Sequence, residues 1–271
     1  MTTMQIDDLS LFLFLPANRL DRLEKAAATA ADAVIIDLED AVAIDQKETA
    51  RAGLGGALDA ISTQKTIVVR INGTDTDWYS EDAAAVARLP VAAVMLPKAE
   101  SADQCEDVAR QCRKPLIALI ETARGVHNAA TIAQSADRMA FGNLDFAADL
   151  GLEQDRMALA YARSILAVAS RVAGIAAPID GVTQEFNDLE IVEDDARHSR
   201  AMGFGGKLLI HPRQIDAARR AFMPNADEIA WAKRIVEAAG AHTGVLTVDG
   251  QMVDAPVLKR AKQILAGART A

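Results

Sequence analysis

The stretch Pro115-Leu116-Ile117-Ala118-Leu119-Ile120-Glu121 is an unbroken apolar run that ends on an acid, and Arg138-Met139-Ala140-Phe141-Gly142-Asn143-Leu144-Asp145 repeats the arrangement further along the chain. A short run that is apolar at every position reads as a strand buried on both faces, as in a parallel sheet covered by helices. A spacing of about 24 residues between Glu121 and Asp145 is what one strand, one crossover helix and two connections occupy, so two neighbouring parallel strands would carry both carboxylates to one rim. Two oxygen ligands at one rim, with no clustered His or Cys, suit a magnesium ion that holds a small substrate.

The same alternation extends in both directions. Strands are expected at Leu11–Leu15, Ala33–Asp37, Thr66–Ile71, Ala92–Leu96, Pro115–Ile120, Arg138–Phe141, Gly174–Ala177 and Lys207–Ile210. Between them, Arg19–Thr29, Gln46–Leu58, Ser101–Gln111, Ala123–Gln134, Asp155–Val172 and Asp188–Met202 carry helix formers at amphipathic spacing. Eight such strands with helices between them predict an α/β fold of the TIM-barrel type, (β/α)8. A doubly wound open sheet is the alternative, but no Gly-x-Gly-x-x-Gly turn follows the first strand. The barrel is expected to occupy residues 1–222. Residues 223–271 form an extension: a helix from about Asp227 to Ala239, a hairpin with Asp249-Gly250 as its turn, and a final helix from Val257 to Ala266. This helix–hairpin–helix tail exceeds what a barrel needs and is a candidate lid or oligomer arm.

Composition narrows the function classes. A net charge of -9 over 271 residues argues against nucleic acid or an anionic membrane as the main partner, while leaving room for a local basic pocket that takes an anionic small molecule. No stretch of 18 apolar residues occurs, and the start lacks a basic signal-peptide region, so a cytoplasmic protein is expected. Cys105 and Cys112 stand two helical turns apart, too far for a disulfide, and read as ordinary free thiols.

In a barrel of this kind the site lies at the C-terminal ends of the strands. There the chain places Arg19, then Asp37-Leu38-Glu39-Asp40, Arg70-Ile71-Asn72, Pro97-Lys98, Glu121, Asn143-Leu144-Asp145, Asp180-Gly181 and His211-Pro212-Arg213-Gln214. Arg70 can present a planar fork to a carboxylate, and with magnesium on Glu121 and Asp145 it could hold a 2-keto acid such as glyoxylate or pyruvate. Glu39 and Asp40 would support the metal from behind. Lys98 reads either as a Schiff-base nucleophile or, more commonly for such a lysine, as the partner of a neighbouring acid. His211 divides evenly between a structural role and a ligand contact. His127, His198 and His242 show no metal-like spacing, and Trp78 and Trp231 read as packing residues.

These residues resemble the HpcH/HpaI aldolase/citrate lyase family, in particular its citrate lyase β-subunit-like branch, closest in type to citramalyl-CoA and malyl-CoA lyases. The resemblance rests on Phe14-Leu15-Pro16-Ala17-Asn18-Arg19, Asp37-Leu38-Glu39-Asp40-Ala41-Val42, Val69-Arg70-Ile71-Asn72, Leu96-Pro97-Lys98, Ile120-Glu121-Thr122-Ala123, Phe141-Gly142-Asn143-Leu144-Asp145-Phe146 and Gly205 through Gln214, in order over nearly the whole chain.

The resemblance implies a Mg2+-dependent carbon–carbon lyase that cleaves a 3-hydroxyacyl-CoA, citramalyl-CoA or malyl-CoA, to acetyl-CoA and a 2-keto acid. Glu121 and Asp145 would ligate the metal and Arg70 would grip the keto acid. Arg19, Lys98, His211 and Gln214 would serve substrate and coenzyme A. Met252-Val253-Asp254-Ala255-Pro256 resembles a lid segment whose aspartate reaches a neighbouring subunit's site, which makes Asp254 the candidate acid/base in a homotrimer, or a dimer of trimers. Many members carry Gly where this chain has Ala17, which bears on how the coenzyme tail is held. The alternatives are a β subunit of a citrate lyase complex working on an acyl-carrier-protein thioester, and a CoA- or keto-acid-binding protein without turnover.

Overall fold

Eight parallel strands follow one another around a closed barrel: Leu11–Pro16 (β1), Ala33–Asp37 (β2), Thr66–Arg70 (β3), Ala93–Leu96 (β4), Leu116–Ile120 (β5), Arg138–Phe141 (β6), Ile179–Asp180 (β7) and Gly206–Leu209 (β8), with β8 pairing back onto β1. The structure is a computed structural model that describes residues 6–241, 246–248 and 251–268. Its helices are Leu23–Ala27 (α1), Lys47–Ala60 (α2), Tyr79–Val86 (α3), Ala102–Cys112 (α4), Ala123–His127 (α5), Ala129–Ile132 (α6), Asn143–Leu150 (α7), Arg156–Ala173 (α8), Leu189–Ala201 (α9), Gln214–Phe222 (α10), Ala226–Ala241 (α11) and Ala255–Gly267 (α12). The (β/α)8 fold expected from the apolar runs is present.

Strand residues alternate between the barrel interior and the helix layer. Phe12, Ile35, Val68, Leu119 and Leu208 point inward and pack as one core. Two residues further along the same strands come Phe14, Asp37, Arg70 and Glu121, so the period of two carries these side chains to the inward rim. The register pairs Asp37 of β2 directly with Arg70 of β3. On the outer side, Arg163 of α8 donates to Asp180 at 3.0 Å, and Lys207 of β8 donates to the Gly181 carbonyl at 2.6 Å and lies 2.9 Å from Asp195. This buried network holds the turn after β7.

Four local expectations change. Gly174 lies outside any strand and caps α8 in the left-handed region at φ 76°, so β7 is delayed to Ile179–Asp180. The helix expected over Ala123–Gln134 breaks at Asn128, and the one expected over Arg19–Thr29 begins as a 3-10 segment with Arg19 itself non-helical. Asp145 belongs to the first turn of α7, which starts right after β6, where a carboxylate is favoured by the helix dipole. Helix α3 fills a segment with no earlier assignment. Cys105 and Cys112 are buried free thiols.

The chain forms two compact units, Met1–Ala218 and Arg219–Ala271. In the second, Ala232 and Ile235 of α11, Ala261 and Ile264 of α12, and Val253 just before α12 share a core. Leu246–Val248 (β9) pairs antiparallel with Gln251–Val253 (β10); the expected turn at Asp249-Gly250, like His242, lies outside the described residues. Among the described residues no helix is long and apolar enough to cross a membrane.

Removing Lys207 leaves the partly buried Asp195 without its cation and the fully buried Asp180 with one cation fewer. Lys207→Met should lower stability by about 3–5 kcal/mol, read as a drop in the urea midpoint.

Candidate active site

A cavity of about 400 Å³ opens at the C-terminal ends of the strands. Asp37, Asp40, Arg70, Glu121, Asn143 and Asp145 supply its polar lining, and Phe14, Leu119, Val182, Leu208 and Ile210 much of its apolar lining.

Asp37 and Arg70 form its floor. Arg70 donates from Nε and Nη2 to the two oxygens of Asp37, both at 2.7 Å, and Asp37 also accepts from the backbone N–H groups of Glu39 and Ala41. The Arg70 guanidinium lies 4.9 Å above the Phe14 ring. Burial works against this cation, but Asp37, then Glu39 and Glu121, more than offset it and raise the pKa above the ordinary arginine value. The open carboxylate fork expected of Arg70 is therefore corrected: two of its three nitrogens are engaged by Asp37, and Nη1 remains, 2.9 Å from Glu39 Oε2 and 3.7 Å from Asp40.

Glu39 is buried, and burial raises its pKa, aided by Asp40 and opposed by Arg70 and Lys98. Its Oε1 accepts from Lys98 Nζ, whereas Oε2 has no aligned hydrogen-bond donor, the nearby Arg70 Nη1 being an ion-pair contact only. A second tier fixes this acidic loop from below. Lys47 Nζ donates to the Leu38 and Glu39 carbonyls at 2.9 and 3.0 Å and to Asn72 Oδ1 at 2.7 Å, while Asn72 donates to Asp82. Neither Asp37 nor Lys47 was singled out as a site residue from the sequence. For Asp37 the signal was present, since it stands at the inward register position beside Arg70.

Lys98 sits at φ 48°, in the left-handed region rare for a side-chain-bearing residue, and this turns its backbone N–H onto Glu121 Oε1 at 2.8 Å. Burial would lower its pKa, but the hydrogen bond to Glu39 and the neighbouring acids raise it, so the amine is a firmly protonated partner of Glu39 and a poor Schiff-base nucleophile.

Glu121 is almost fully buried. Desolvation first, then Glu39 and Asp145, lift its pKa to about 8 against the pull of Arg70 and Lys98. Its side chain presses onto Gly142, where an added Cβ would lie 2.4 Å from the Glu121 Cβ and 2.3 Å from Oε2. Asp145 lines the same cavity and, among the described residues, has no side-chain hydrogen bond or ion pair. A buried, charge-crowded carboxylate beside an unpaired one fits a hard divalent cation. No group of three or more His, Cys, Asp or Glu residues suited to a metal occurs among the described residues, so such an ion would keep positions for substrate oxygens and water.

Asn143 adds a further polar wall. Its amide donates to Gln154 and to the Val182 carbonyl, and its Oδ1 packs over Gly181, where a Cβ would lie 1.9 Å away.

Other expected ligand groups are placed elsewhere. Arg19 is half-buried after β1, paired with Asp21 at 3.0 Å, and does not line the cavity. His211 stacks on Phe186 with ring centroids 4.9 Å apart, and its Nδ1 accepts from the Arg213 backbone. Gln214 is corrected: its amide donates to the Thr183 and Glu185 carbonyls and accepts from Ile210 and His211, so it ties two rim loops together and has no atoms left for a ligand. Asp254 caps α12, accepting from the Val257 N–H at 3.1 Å.

The HpcH/HpaI aldolase/citrate lyase family model matches residues 10–212, and the chain belongs to this family. It is 40% identical over 263 residues to a citrate lyase subunit beta-like protein of Mycobacterium tuberculosis, covering 94% of this chain and 93% of that one. It is 39% identical over 266 residues to a (3S)-malyl-CoA thioesterase of Cereibacter sphaeroides, with the same coverage. The crystal structure of CitE from Mycobacterium tuberculosis in complex with magnesium, acetoacetate and coenzyme A superposes with a TM-score of 0.88 at 38% identity, covering 97% of this chain and all of that one. Lyase and thioesterase names both occur among these relatives, so the family is enzymatic.

Because Glu121 titrates near pH 8 in the folded metal-free protein and near 4.5 when exposed, the fold retains a proton there that the unfolded chain releases. The stability that proton contributes is present at low pH and lost as pH rises toward 8. Glu121→Gln should raise the thermal midpoint of the metal-free protein by roughly 5 °C at pH 8, and hardly change it at pH 5. Differential scanning calorimetry in EDTA at both pH values checks this. Gly142→Ala should displace Glu121 and weaken magnesium binding at least tenfold, measured by titration calorimetry.

Proposed function

We propose that this chain is a Mg2+-dependent acyl-CoA lyase that cleaves a 3-hydroxyacyl-CoA of the citramalyl-CoA or malyl-CoA type into acetyl-CoA and a 2-keto acid, and runs the reverse condensation. The observation that carries the reading is the buried Glu121 beside the unpaired Asp145, in the same cavity as Arg70, whose Nη1 is the one nitrogen not taken by Asp37. The CitE complexes with magnesium and pyruvate, or with magnesium, acetoacetate and coenzyme A, support the ligand classes.

Magnesium, held by Glu121 and Asp145, would act as a Lewis acid at the keto oxygen and offset the negative charge that gathers there. Arg70, fixed by Asp37, offers Nη1 to the keto acid carboxylate. Glu39, held by Lys98, and Asp40 keep acceptor oxygens close to that nitrogen. In cleavage the substrate hydroxyl passes its proton to solvent water and the adjacent carbon–carbon bond breaks. Its electron pair passes to the thioester as an enolate, which is protonated on carbon to give acetyl-CoA.

Four of the nearby acids are committed, Asp37 to Arg70, Glu39 to Lys98 and Arg70, and Glu121 with Asp145 to the metal, while Asp40 lines the cavity with only a loose contact to Arg70 at 3.7 Å. This supports assigning the carbon proton transfer to Asp254, delivered by the extension of a neighbouring copy in a homotrimer or a dimer of trimers. Arg19 and His211 would face the coenzyme. Residues 223–271 would then act as the exchanged lid, and the protein would work in the cytoplasm.

A second reading, hydrolysis of the thioester, is favoured by the 39% identity to the malyl-CoA thioesterase. Purified protein with magnesium and each acyl-CoA separates the readings by product. Acetyl-CoA with a keto acid is expected; free coenzyme A with the hydroxy acid would establish hydrolysis instead. Activity that appears only with added partner chains would identify a citrate lyase β subunit. Asp254→Asn keeps the helix cap and should lower kcat by about 10²–10⁴ with magnesium affinity unchanged. Wild-type turnover in that variant would remove Asp254 from the mechanism.

A further inference from the structure

The side chains that line the cavity divide by strand. Every charged one stands on or just after β2, β3, β5 or β6, whereas β7, β8 and β1 contribute Val182, Leu208, Ile210, Phe14 and Pro16, all apolar. Phe14, Val182 and Leu208 pack with the core that fills the barrel, so this arc is a fixed wall. Ile210, 42% exposed, carries it upward past the end of β8. The arginines of the neighbouring loops do not reach in: Arg19 is held by Asp21 and Arg213 donates to Asn187, and neither lines the cavity.

Strand order gives this wall a direction. On the lyase reading the keto acid carboxylate lies at Arg70 of β3, and the keto oxygen at the metal between Glu121 after β5 and Asp145 after β6. These two positions straddle β4, and in a closed ring of eight strands β8 stands opposite β4. A keto carbon is planar with its three substituents evenly spread. Its third substituent therefore points away from the other two, across the barrel toward β8 with β7 and β1 on either side. The thioester carbon reaches the face of that plane from the open mouth above the strand ends.

The candidate substrates differ in this third substituent. It is hydrogen in malyl-CoA, which yields glyoxylate, methyl in citramalyl-CoA, which yields pyruvate, and carboxymethyl in citryl-CoA, which yields oxaloacetate. Hydrogen leaves the wall uncovered. A second carboxylate would give up water there and find no cation in exchange. An alkyl group covers the wall and has nothing polar to desolvate.

We propose that Phe14, Val182, Leu208 and Ile210 form the subsite for the substituent of the 2-keto acid and select an alkyl group there. The substrate is then a 3-hydroxyacyl-CoA whose hydroxyl-bearing carbon also carries a methyl or ethyl group, in preference to the malyl and citryl thioesters. Because the wall continues from Leu208 to Ile210, the subsite extends beyond one methyl. This inference rests on the lyase reading and sharpens it to one class of keto acid.

The test measures kcat/KM for keto acid release by the full-length protein with magnesium, on citramalyl-CoA, its ethyl homologue, malyl-CoA and citryl-CoA, each as a mixture of epimers at the hydroxyl-bearing carbon. Both alkyl substrates should exceed malyl-CoA and citryl-CoA by about 10–200-fold, the range that one apolar contact supplies. Val182→Thr keeps the shape of the wall and makes it polar, and should lower the citramalyl-to-malyl ratio by about threefold or more. Leu208→Val opens the wall by one carbon and should shift the ethyl-to-methyl ratio upward by a similar factor. If Leu208→Val does not fold, Val182→Thr and the wild-type panel decide. Malyl-CoA or citryl-CoA cleaved as efficiently as citramalyl-CoA, or a citramalyl-to-malyl ratio indifferent to Val182→Thr, overturns the alkyl subsite and leaves the lyase reading standing. Cleavage of none of the four sinks both together.

Discussion

The bidentate contact between Asp37 and Arg70 is the constraint from which the rest of the rim follows. The two residues are register partners on adjacent parallel strands and are both buried, so neither charge could stand there alone. Their two parallel hydrogen bonds fix the guanidinium in plane above Phe14 and leave one nitrogen in the cavity. Asp37 also accepts from the Glu39 and Ala41 backbone, so the same carboxylate that orients Arg70 shapes the acidic loop after β2. One acid thus sets both the cation and the neighbouring anions.

Around that pair the site gathers more negative charge than its own cations balance. Glu121 carries the consequence, lifted to about 8 by burial and by Glu39 and Asp145. Lys98 is drawn into a left-handed backbone conformation that gives its N–H to Glu121 and its ammonium to Glu39. Strained backbone and crowded carboxylates in one cavity are unfavourable for the fold by itself, and they concentrate where a bound cation would relieve them. Gly142 belongs to this economy, because the close approach of Glu121 leaves no room for a side chain there.

Much of this was legible in the chain. The unbroken apolar runs located seven of the eight strands to within a residue or so, and the polar residue after each run marked the rim. The misplaced β7 shows where the reading stops: Gly174-Ile175-Ala176-Ala177 is apolar enough for a strand, but Gly174 is used to end α8, and a capping glycine and a strand glycine look alike in one dimension. Gln214 and Arg70 show a second limit. Residue type identified both as polar rim groups, yet which hydrogen-bonding atoms are already occupied depends on carbonyls and carboxylates distant in sequence.

By itself the sequence determined the parallel barrel, the rim on which the site lies, and the acids and arginine that face it, because strand periodicity and residue chemistry are local properties. Only the tertiary structure decided which of those groups are spent on each other and which remain open. Burial and pairing are set by neighbours brought together from different strands, and these decide that Asp37 occupies the fork of Arg70, that Gln214 ties loops, and that Glu121 and Asp145 share one cavity with their charge unbalanced.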